Sequence, residues 1–453
     1  MLQTLIETLP LGLSLSSLFP STALSLLYGV TNATSSISIS GMYWNLLGLP
    51  DQDLYSKHQL EQWGIQHGQD LYSALEEAAE RNVSIRILYG ASMHTSTEKV
   101  YDGKVDFLNN NSLVQNDVPE ELYRLTIKYP KTVQVAEWDA KPWYGGGILH
   151  QKVWIFDEKE AYLGSANTDW KSLAQVLEVG IWLNGNSQVK SLSMIFERYW
   201  QWSSMEIKTE IVYSSTFQAK LQVPCWSMKV SSPVRCVNPF PHKSVDVIRP
   251  NALGCEEKQL KPWFIGVAPR EIMMGSDERF DEDGLVETIR NAKSFIGLSV
   301  MDFQASSVFS TTVQTTPIYW PALTNSLLAV LYAKPVKVQL LISQWKHTSS
   351  EMIRGLKALL SSYQVCRKCP GTLEIRLFQI PGWNTTAFPA YTRVSHGKFI
   401  VTDTQVNIGT SNMQWGYFYT TAGLSFNSIN ESLRGDLERL FNRNWESGFT
   451  TTL

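Results

Sequence analysis

Alternating apolar and polar positions from Ser36 to Tyr43 predict a β-strand, because successive side chains on a strand point to opposite faces. A helix is predicted over Gln69 to Arg81 and a second strand over Val83 to Leu88. The same order of parts returns later in the chain. There Ser294 to Met301 is the strand, Pro321 to Ala333 the helix, with Pro321 in its first turn, and Val336 to Ile342 the next strand. A third strand follows in each half, Thr132 to Glu137 and Leu373 to Gln379. Each half then reaches a strand carrying His-x-Lys. Each closes with a helix ending in similar words, Phe196-Glu-Arg-Tyr-Trp200 and Phe441-Asn-Arg-Asn-Trp445, whose apolar i, i+4 pair turns the helix inward. Strands alternating with helices imply parallel-rich α/β sheets, and the repeated order implies a duplicated unit. Residues 206–262, Pro-rich and holding Cys225, Cys236 and Cys255, read as a connecting segment. The expected units are therefore 1–205 and 263–453, a division that the 453-residue length requires of any chain with cores of ordinary size.

Composition adds limits. With 43% hydrophobic, 11% aromatic and 18% charged residues the chain is globular, and a net charge of -3 gives no global field for collecting polyanions. A nucleic-acid ligand would have to be held locally. No apolar run reaches the roughly eighteen residues of a membrane span; Pro10 to Gly29 is interrupted by polar residues. The N-terminus does not read as a signal peptide, since Glu7 stands where an apolar stretch is needed. Sequons at Asn32, Asn82, Asn110, Asn384 and Asn430 suit a glycosylated lumenal protein. The odd count of 5 cysteines leaves one thiol unpaired within a monomer. Cys366-x-x-Cys369 lacks a second ligand pair at zinc spacing, so a loop disulfide or free thiols are expected there rather than a metal.

The candidate chemistry lies in two motifs. The first is His150-Gln-Lys152, running on to Asp157 and then Gly164-Ser165-Ala-Asn167; the second is His396-Gly-Lys398, running on to Asp403 and then Gly409-Thr410-Ser411-Asn412. On a strand, His and Lys at i and i+2 project from one face, and the small residues and Asn that follow can turn donors toward a phosphate. A single His-x-Lys beside an apolar strand is ordinarily a satisfied core feature. Two copies at equivalent points of two similar halves point instead to one site built from two half-sites.

These residues resemble the signature of the phospholipase D superfamily, HxKx4Dx6GSxN. The first motif matches it fully, while the second is one residue shorter before its glycine and has Thr410 for Ser. The likeness narrows to phospholipase D family members three and four, the lysosomal 5′-exonuclease branch. It does so through Tyr43-Trp44, Leu163-Gly-Ser-Ala-Asn-Thr-Asp-Trp170, Ile408-Gly-Thr-Ser-Asn412 and Thr421-Ala-Gly423, and it spans nearly the whole chain. That branch's N-terminal membrane anchor is absent from this sequence, and so are its paired cysteines near the first domain, where Asn184-Gly-Asn-Ser187 stands. The resemblance implies two phospholipase D-like α/β sandwich domains related by a pseudo-two-fold, with the active site at their interface. Glu178 matches a superfamily carboxylate that accepts a histidine Nδ1–H; the second half has Thr421 at that place.

The implied reaction is phosphodiester hydrolysis through a phosphohistidine, with Lys152, Lys398, Asn167 and Asn412 neutralising the phosphate, and with no cofactor and no metal. Glu178 is expected to hold His150, which assigns attack to His150 and acid/base work to His396; the reverse assignment stays open. Asp157 and Asp403 are expected to be structural. Ser165, Thr410, Tyr43 and Trp415 are the expected substrate contacts, with Trp143, Tyr144, Tyr417 and Phe418 as further aromatics for stacking on a base. The implied activity is a 5′-to-3′ exonuclease on single-stranded DNA or RNA in an endolysosomal or secretory lumen. The alternatives are a phospholipase D or transphosphatidylase acting on phospholipid, and a non-catalytic member of the family. A homodimer is the further partnership considered.

Overall fold

The structure is a computed structural model that describes residues 2–91, 118–144, 146–204, 209–214, 219–225, 262–273, 275–310 and 315–453. Its first sheet is built from β1 (Leu2–Thr8), β2 (Ser36–Gly41), β3 (Ser84–Gly90), β4 (Val133–Trp138), β5 (Lys152–Phe156), β6 (Glu160–Gly164) and β7 (Glu178–Asn184), in the order β1-β7-β6-β5-β2-β3-β4. The second holds β8 (Trp263–Ala268), β9 (Glu278–Phe280), β10 (Phe295–Val300), β11 (Lys337–Ser343), β12 (Thr372–Phe378), β13 (Phe399–Thr402), β14 (Val406–Gly409), β15 (Gly423–Ser428) and β16 (Thr450–Thr452), in the order β9-β8-β15-β14-β13-β10-β11-β12-β16. Without the edge strands β9 and β16 the two orders coincide. The duplication read from the sequence is thus a duplication of topology.

The sheets are mixed, not parallel-rich. Only β2–β3 and β3–β4 in the first, and β10–β11, β11–β12 and β8–β9 in the second, run parallel. β5 and β13, which lead on from the His-x-Lys motifs, turn back at once into β6 and β14, and a short turn can join only antiparallel neighbours. The helices α1 (Thr22–Asn32), Glu120–Lys128, Asp281–Asn291 and Ser350–Gln364 have no counterpart among the expected segments, whereas α2 (Gln66–Glu80), α3 (Asn186–Ser203), α4 (Ala322–Ala333) and α5 (Glu431–Trp445) match them. Pro321 precedes the first turn of α4 as its cap. Within residues 206–262, Thr209–Ser214 and Ala219–Pro224 form a hairpin, and most of the remainder lies outside the described residues. Cys366 and Cys369 are joined by a disulfide. Among the described residues no helix is long and apolar enough to cross a membrane.

Each sheet buries one face under its own helices, with Leu71, Leu75 and Ala78 of α2 in one cluster and Leu323, Leu327 and Leu331 of α4 in another. The opposite faces share a third cluster, in which Leu163, Val179 and Ile181 meet Ile408, Leu424 and Phe426. The helices with the repeated aromatic words close this shared core through Phe196, Tyr199 and Trp202 of α3 and Leu437, Phe441 and Trp445 of α5. Both words also contain an arginine whose role the hydrophobic pattern hides. Arg198 of α3 reaches across to Glu278 of β9, and Arg443 of α5 reaches back to Glu7 of β1 at 2.8 Å. Glu7 is thus buried on a strand, and its carboxylate also accepts the Leu18 and Phe19 N–H groups.

Asp157 and Asp403 sit at matching turns. Asp157 accepts the backbone N–H groups of Thr34, Ser35 and Ser36 ahead of β2, and Asp403 those of Lys293, Ser294 and Phe295 ahead of β10. Burial pushes the Asp157 carboxyl upward, but these donors outweigh it and hold the group well below the ordinary carboxylate range. The aspartate of each motif is a clasp between strand ends.

Arg198→Ala leaves Glu278 buried without its cation, and a loss of about 3–5 kcal/mol in denaturant unfolding is expected. Arg198→Met combined with Glu278→Leu should recover most of it.

Candidate active site

The two histidines do not lie on the regular strands, as the i, i+2 reading had them. Lys152 opens β5 and Lys398 directly precedes β13, so each histidine stands in an extended lead-in. Those lead-ins pair with the other half of the chain. The His150 N–H donates to the Ala422 carbonyl at 2.9 Å and Ala422 N–H returns to Ile148; His396 N–H donates to Leu177 at 2.7 Å and Leu177 N–H returns to Val394. Ala422 and Leu177 occupy matching places beside β15 and β7, so one backbone exchange is made twice about a pseudo-two-fold axis, and Gly423, not Thr421 as the sequence suggested, stands at the place of Glu178.

This crossing decides which histidine meets Glu178. The carboxylate contacts the Nδ1 of His396 at 3.0 and 2.9 Å, not that of His150 as expected from the sequence. The reason is topological: β7 carries Glu178 one residue beyond Leu177, and Leu177 is paired with the His396 lead-in. Ser165 donates to Glu178 at 2.5 Å and accepts the Val179 N–H, while Thr410 accepts the Leu424 N–H at 3.0 Å. Both hydroxyls are fully buried and engaged in these bonds. Ser165 instead fixes the carboxylate.

Burial and the ammonium groups of Lys152 and Lys398 drive the His150 imidazole well below the ordinary histidine value. Its Nδ1 makes no hydrogen bond of normal geometry, although the Thr410 backbone lies close enough to favour the charged ring slightly. His396 is also lowered by burial, but Glu178 opposes the shift. Burial would raise Glu178, yet His396, Lys398 and the Ser165 hydroxyl outweigh it and keep it ionised. Lys152 is pushed well down by burial and by Lys398; Lys398 falls to about 8, with Glu178 and Asp302 supporting its charge. Each ammonium donates to the carbonyl of its own motif histidine.

The asparagines are held by different arrangements of the same groups. The Asn167 Nδ2 donates to the Tyr43 hydroxyl at 3.4 Å, and that hydroxyl donates to Asp169 at 3.1 Å. The Asn412 Nδ2 donates to Asp302 at 3.0 Å and to the Tyr417 hydroxyl at 3.2 Å. Tyr43 therefore serves Asn167, and its hydroxyl is already committed. Asp169 and Asp302 were missed in the sequence; the word Met301-Asp302 matching Met42-Tyr43 at the ends of equivalent strands was the available signal.

The aromatic platform expected from the sequence is largely core. Trp415 is 5% exposed and stacked on Tyr419, Trp143 is stacked on Trp202, Phe418 is stacked on Trp320, and Tyr144 packs against the shared core. Tyr417 remains at the site, its ring edge-on to His150 at 4.9 Å between centroids.

Two α/β halves that interlock to bring both His-x-Lys pairs together define a two-domain phosphodiesterase of the phospholipase D fold. The particular lineage follows from comparison. Residues 30–200 match the family described as "Cardiolipin synthase, PLD-like domain" and residues 257–383 the one described as "PLD3/4, PLD-like domain". The chain is 32% identical to Phospholipase D Y of Dictyostelium discoideum, covering 98% of this chain and 90% of that one. It is 28% identical to the 5′-3′ exonuclease PLD3 of Macaca fascicularis, covering 99% and 80%. The fold is shared with phosphatidylserine synthase of Haemophilus influenzae, at a TM-score of 0.53 and 11% identity over 95% of this chain and 85% of that one. The chain belongs to the phospholipase D family and is similar to its PLD3/4 members.

Glu178→Gln should lower kcat by about 10²–10⁴-fold with little change in KM, because the buried carboxylate orients an imidazole. Steady-state hydrolysis of bis(p-nitrophenyl) phosphate measures it, and an unchanged kcat would remove Glu178 from the mechanism.

Proposed function

We propose that the protein hydrolyses phosphodiesters through a phosphohistidine and acts as a 5′-to-3′ exonuclease on single-stranded nucleic acid. The observation that carries the chemistry is the contact of Glu178 with His396 alone, which gives two histidines of unequal proton affinity beside two lysines. Attack stays with His150, but for a different reason from the one the sequence suggested. A nucleophile must be neutral, and burial with two neighbouring ammonium groups makes His150 so. A general acid must hold a proton, and Glu178 favours that on His396.

His150 Nε2 attacks phosphorus while His396 gives its proton to the departing oxygen. Lys152, Lys398 and the two asparagine amides stabilise the charge on the non-bridging oxygens. His396 then takes a proton from water, which attacks the phosphohistidine and frees His150. The residues supply every charge and proton of this scheme, so it calls on no cofactor.

Support for nucleic acid comes from the alignment with relatives named 5′-3′ exonuclease over 99% of this chain. The alignment with Phospholipase D Y, at 32% identity, makes a lipid diester the second reading. Of the two long connections that read from the sequence as loops able to cover the site, Gly90 to Leu122 and Gln304 to Tyr319, the second contains a hairpin of Ser306–Ser310 with Thr315–Tyr319, and most of the first lies outside the described residues. A lumenal setting with N-glycans is supported by exposure of Asn32, Asn82, Asn384 and Asn430; Asn110 lies outside the described residues.

The assignment of roles has a leaving-group test. With a p-nitrophenyl ester, whose leaving group needs no proton, His396→Ala should still release a burst of nitrophenolate and trap phosphate on His150, whereas His150→Ala should release none. Label found on His396 would reverse the roles. Wild-type kcat/KM should peak below about pH 6.5, since His150 must be neutral and His396 protonated and both values are lowered from the ordinary one. A pH–rate profile rising through pH 7 would contradict that.

For the substrate, a 3′-labelled single strand should give a descending ladder while a 5′ label passes at once into the smallest product. Equal cleavage of a circular strand would sink the exonuclease reading, and preferential turnover of phosphatidyl lipid would favour the second.

A further inference from the structure

We propose that Asp302 is a positioning residue for this reaction: its carboxylate holds the Asn412 amide and balances Lys398 before substrate enters, and it takes up a proton as a phosphodiester anion binds. The inference rests on the phosphodiesterase reading but not on nucleic acid as substrate.

The geometry of Asn412 carries it. The side chain is 1% exposed, and its Nδ2 is committed to Asp302 at 3.0 Å and to the Tyr417 hydroxyl at 3.2 Å. Its Oδ1 is buried with no donor. In this arrangement the amide that should donate to a phosphate has no hydrogen left to give, and an orphaned carbonyl oxygen is costly to keep out of water. Protonation of Asp302 removes both difficulties. The carboxyl becomes a donor, the amide turns by half a rotation so that Oδ1 accepts from Asp302, and Nδ2 is released toward the phosphate.

The first half shows why this belongs to one half-site only. At the place matching Asp302 stands Tyr43, and the carboxylate of that cluster, Asp169, lies away from the lysine pair, where Lys171 faces it. The difference between Tyr43 and Asp302 leaves Asn167, whose Oδ1 likewise has no donor, held by a phenol, which keeps its proton at every relevant pH, and Asn412 held by a group that titrates. Burial raises the Asp302 carboxyl to about 6 even though the Lys398 ammonium opposes the rise.

Among the described residues, Lys398 is the charge that bears on Asp302 directly. Tyr417 is neutral and pushed up to about 12, and Glu178 shares Lys398 with Asp302. His396 and Lys152 lie beyond that pair, and the Asp302 backbone carbonyl accepts the Met413 N–H. A phosphodiester anion entering beside Lys398 adds a third negative charge to Glu178 and Asp302, and a like charge raises a carboxyl's proton affinity. The proton comes from solvent and returns when the product leaves. The sign follows: affinity is full where Asp302 is already neutral, and it weakens as pH rises above about 6.

The test compares wild type with D302N, which imitates the neutral carboxyl. With bis(p-nitrophenyl) phosphate, wild-type KM should rise by up to about tenfold per pH unit between pH 6 and 8, the slope of one linked proton, while that of D302N should stay within about twofold. Calorimetry of inorganic sulfate binding at pH 7 in two buffers of different ionisation enthalpy should show proton uptake in wild type that is mostly lost in D302N. A D302N protein that keeps the wild-type slope and uptake overturns the proposal, as does one whose kcat drops equally at every pH with the slope intact. If D302N does not fold, carboxyl NMR of the wild type decides, because the Asp302 pKa must rise on adding sulfate. Sulfate binding with the expected uptake but no turnover of any diester would sink the proposed function and, with it, the role of Asp302 in the reaction, leaving only its proton-linked grip on an anion.

Discussion

Everything at the site depends on two reciprocal backbone exchanges, Ile148 to His150 with Ala422 and Val394 to His396 with Leu177. Each joins the segment bearing a catalytic histidine to the approach of a strand in the opposite half. Neither half can therefore place its own histidine alone. The exchanges align the imidazoles on one face, bring Glu178 under His396, and set Lys398 between Glu178 and Asp302. Moving either lead-in by one residue would reverse its side chains and point the histidine into the shared core.

That core is what makes the exchanges rigid. The inner sheet faces form one apolar cluster, sealed at its ends by α3 and α5. Each of these helices sends an arginine into the other half, Arg198 to Glu278 and Arg443 to Glu7. A site that buries two lysines, two imidazoles and a carboxylate is costly, by several kcal/mol for each uncompensated ion. The cost is met by the interface around it, so the residues that keep the halves together and those that do chemistry are energetically inseparable. It also explains why the motif aspartates lie at the far turns. Asp157 and Asp403 tie strand ends by backbone N–H groups, leaving the opposite ends free to carry reacting groups.

The duplication, the parallel strand trio of each half and the helices α2 to α5 were legible because periodicity and repetition report local structure, and His150, Lys152, His396 and Lys398 stood out because they recur. What could not be read is non-local. Glu178 lies in the same half as His150, and nothing in its spacing tells that β7 approaches the lead-in of the other half. Trp415, Trp143 and Phe418 are near the motifs in the chain yet packed in cores, since proximity along a chain does not say which face of a short helix turns outward. β1 escaped notice because its apolar face is broken by Glu7, a residue that makes sense only beside Arg443. Arg198 and Arg443 were hidden inside words read for their aromatics.

A duplicated site starts from symmetry, yet the reaction does not have it. One imidazole must be neutral and the other protonated at the same moment, and two equivalent imidazoles in identical surroundings would share a single proton affinity. Two differences between the halves bear on this equivalence without disturbing the backbone. Gly423, one residue beyond Ala422, stands where Glu178 stands beyond Leu177, so no carboxylate faces His150 from that place, and Asp302 stands where the first half has Tyr43. Both changes place negative charge near His396 and Lys398 and withhold it from His150 and Lys152. His150 and Lys152 are accordingly driven furthest from their ordinary values, and His396 and Lys398 are restrained. The pseudo-two-fold supplies the geometry, and these substitutions, each on a side chain and none on the fold, turn it into a site with an order of events.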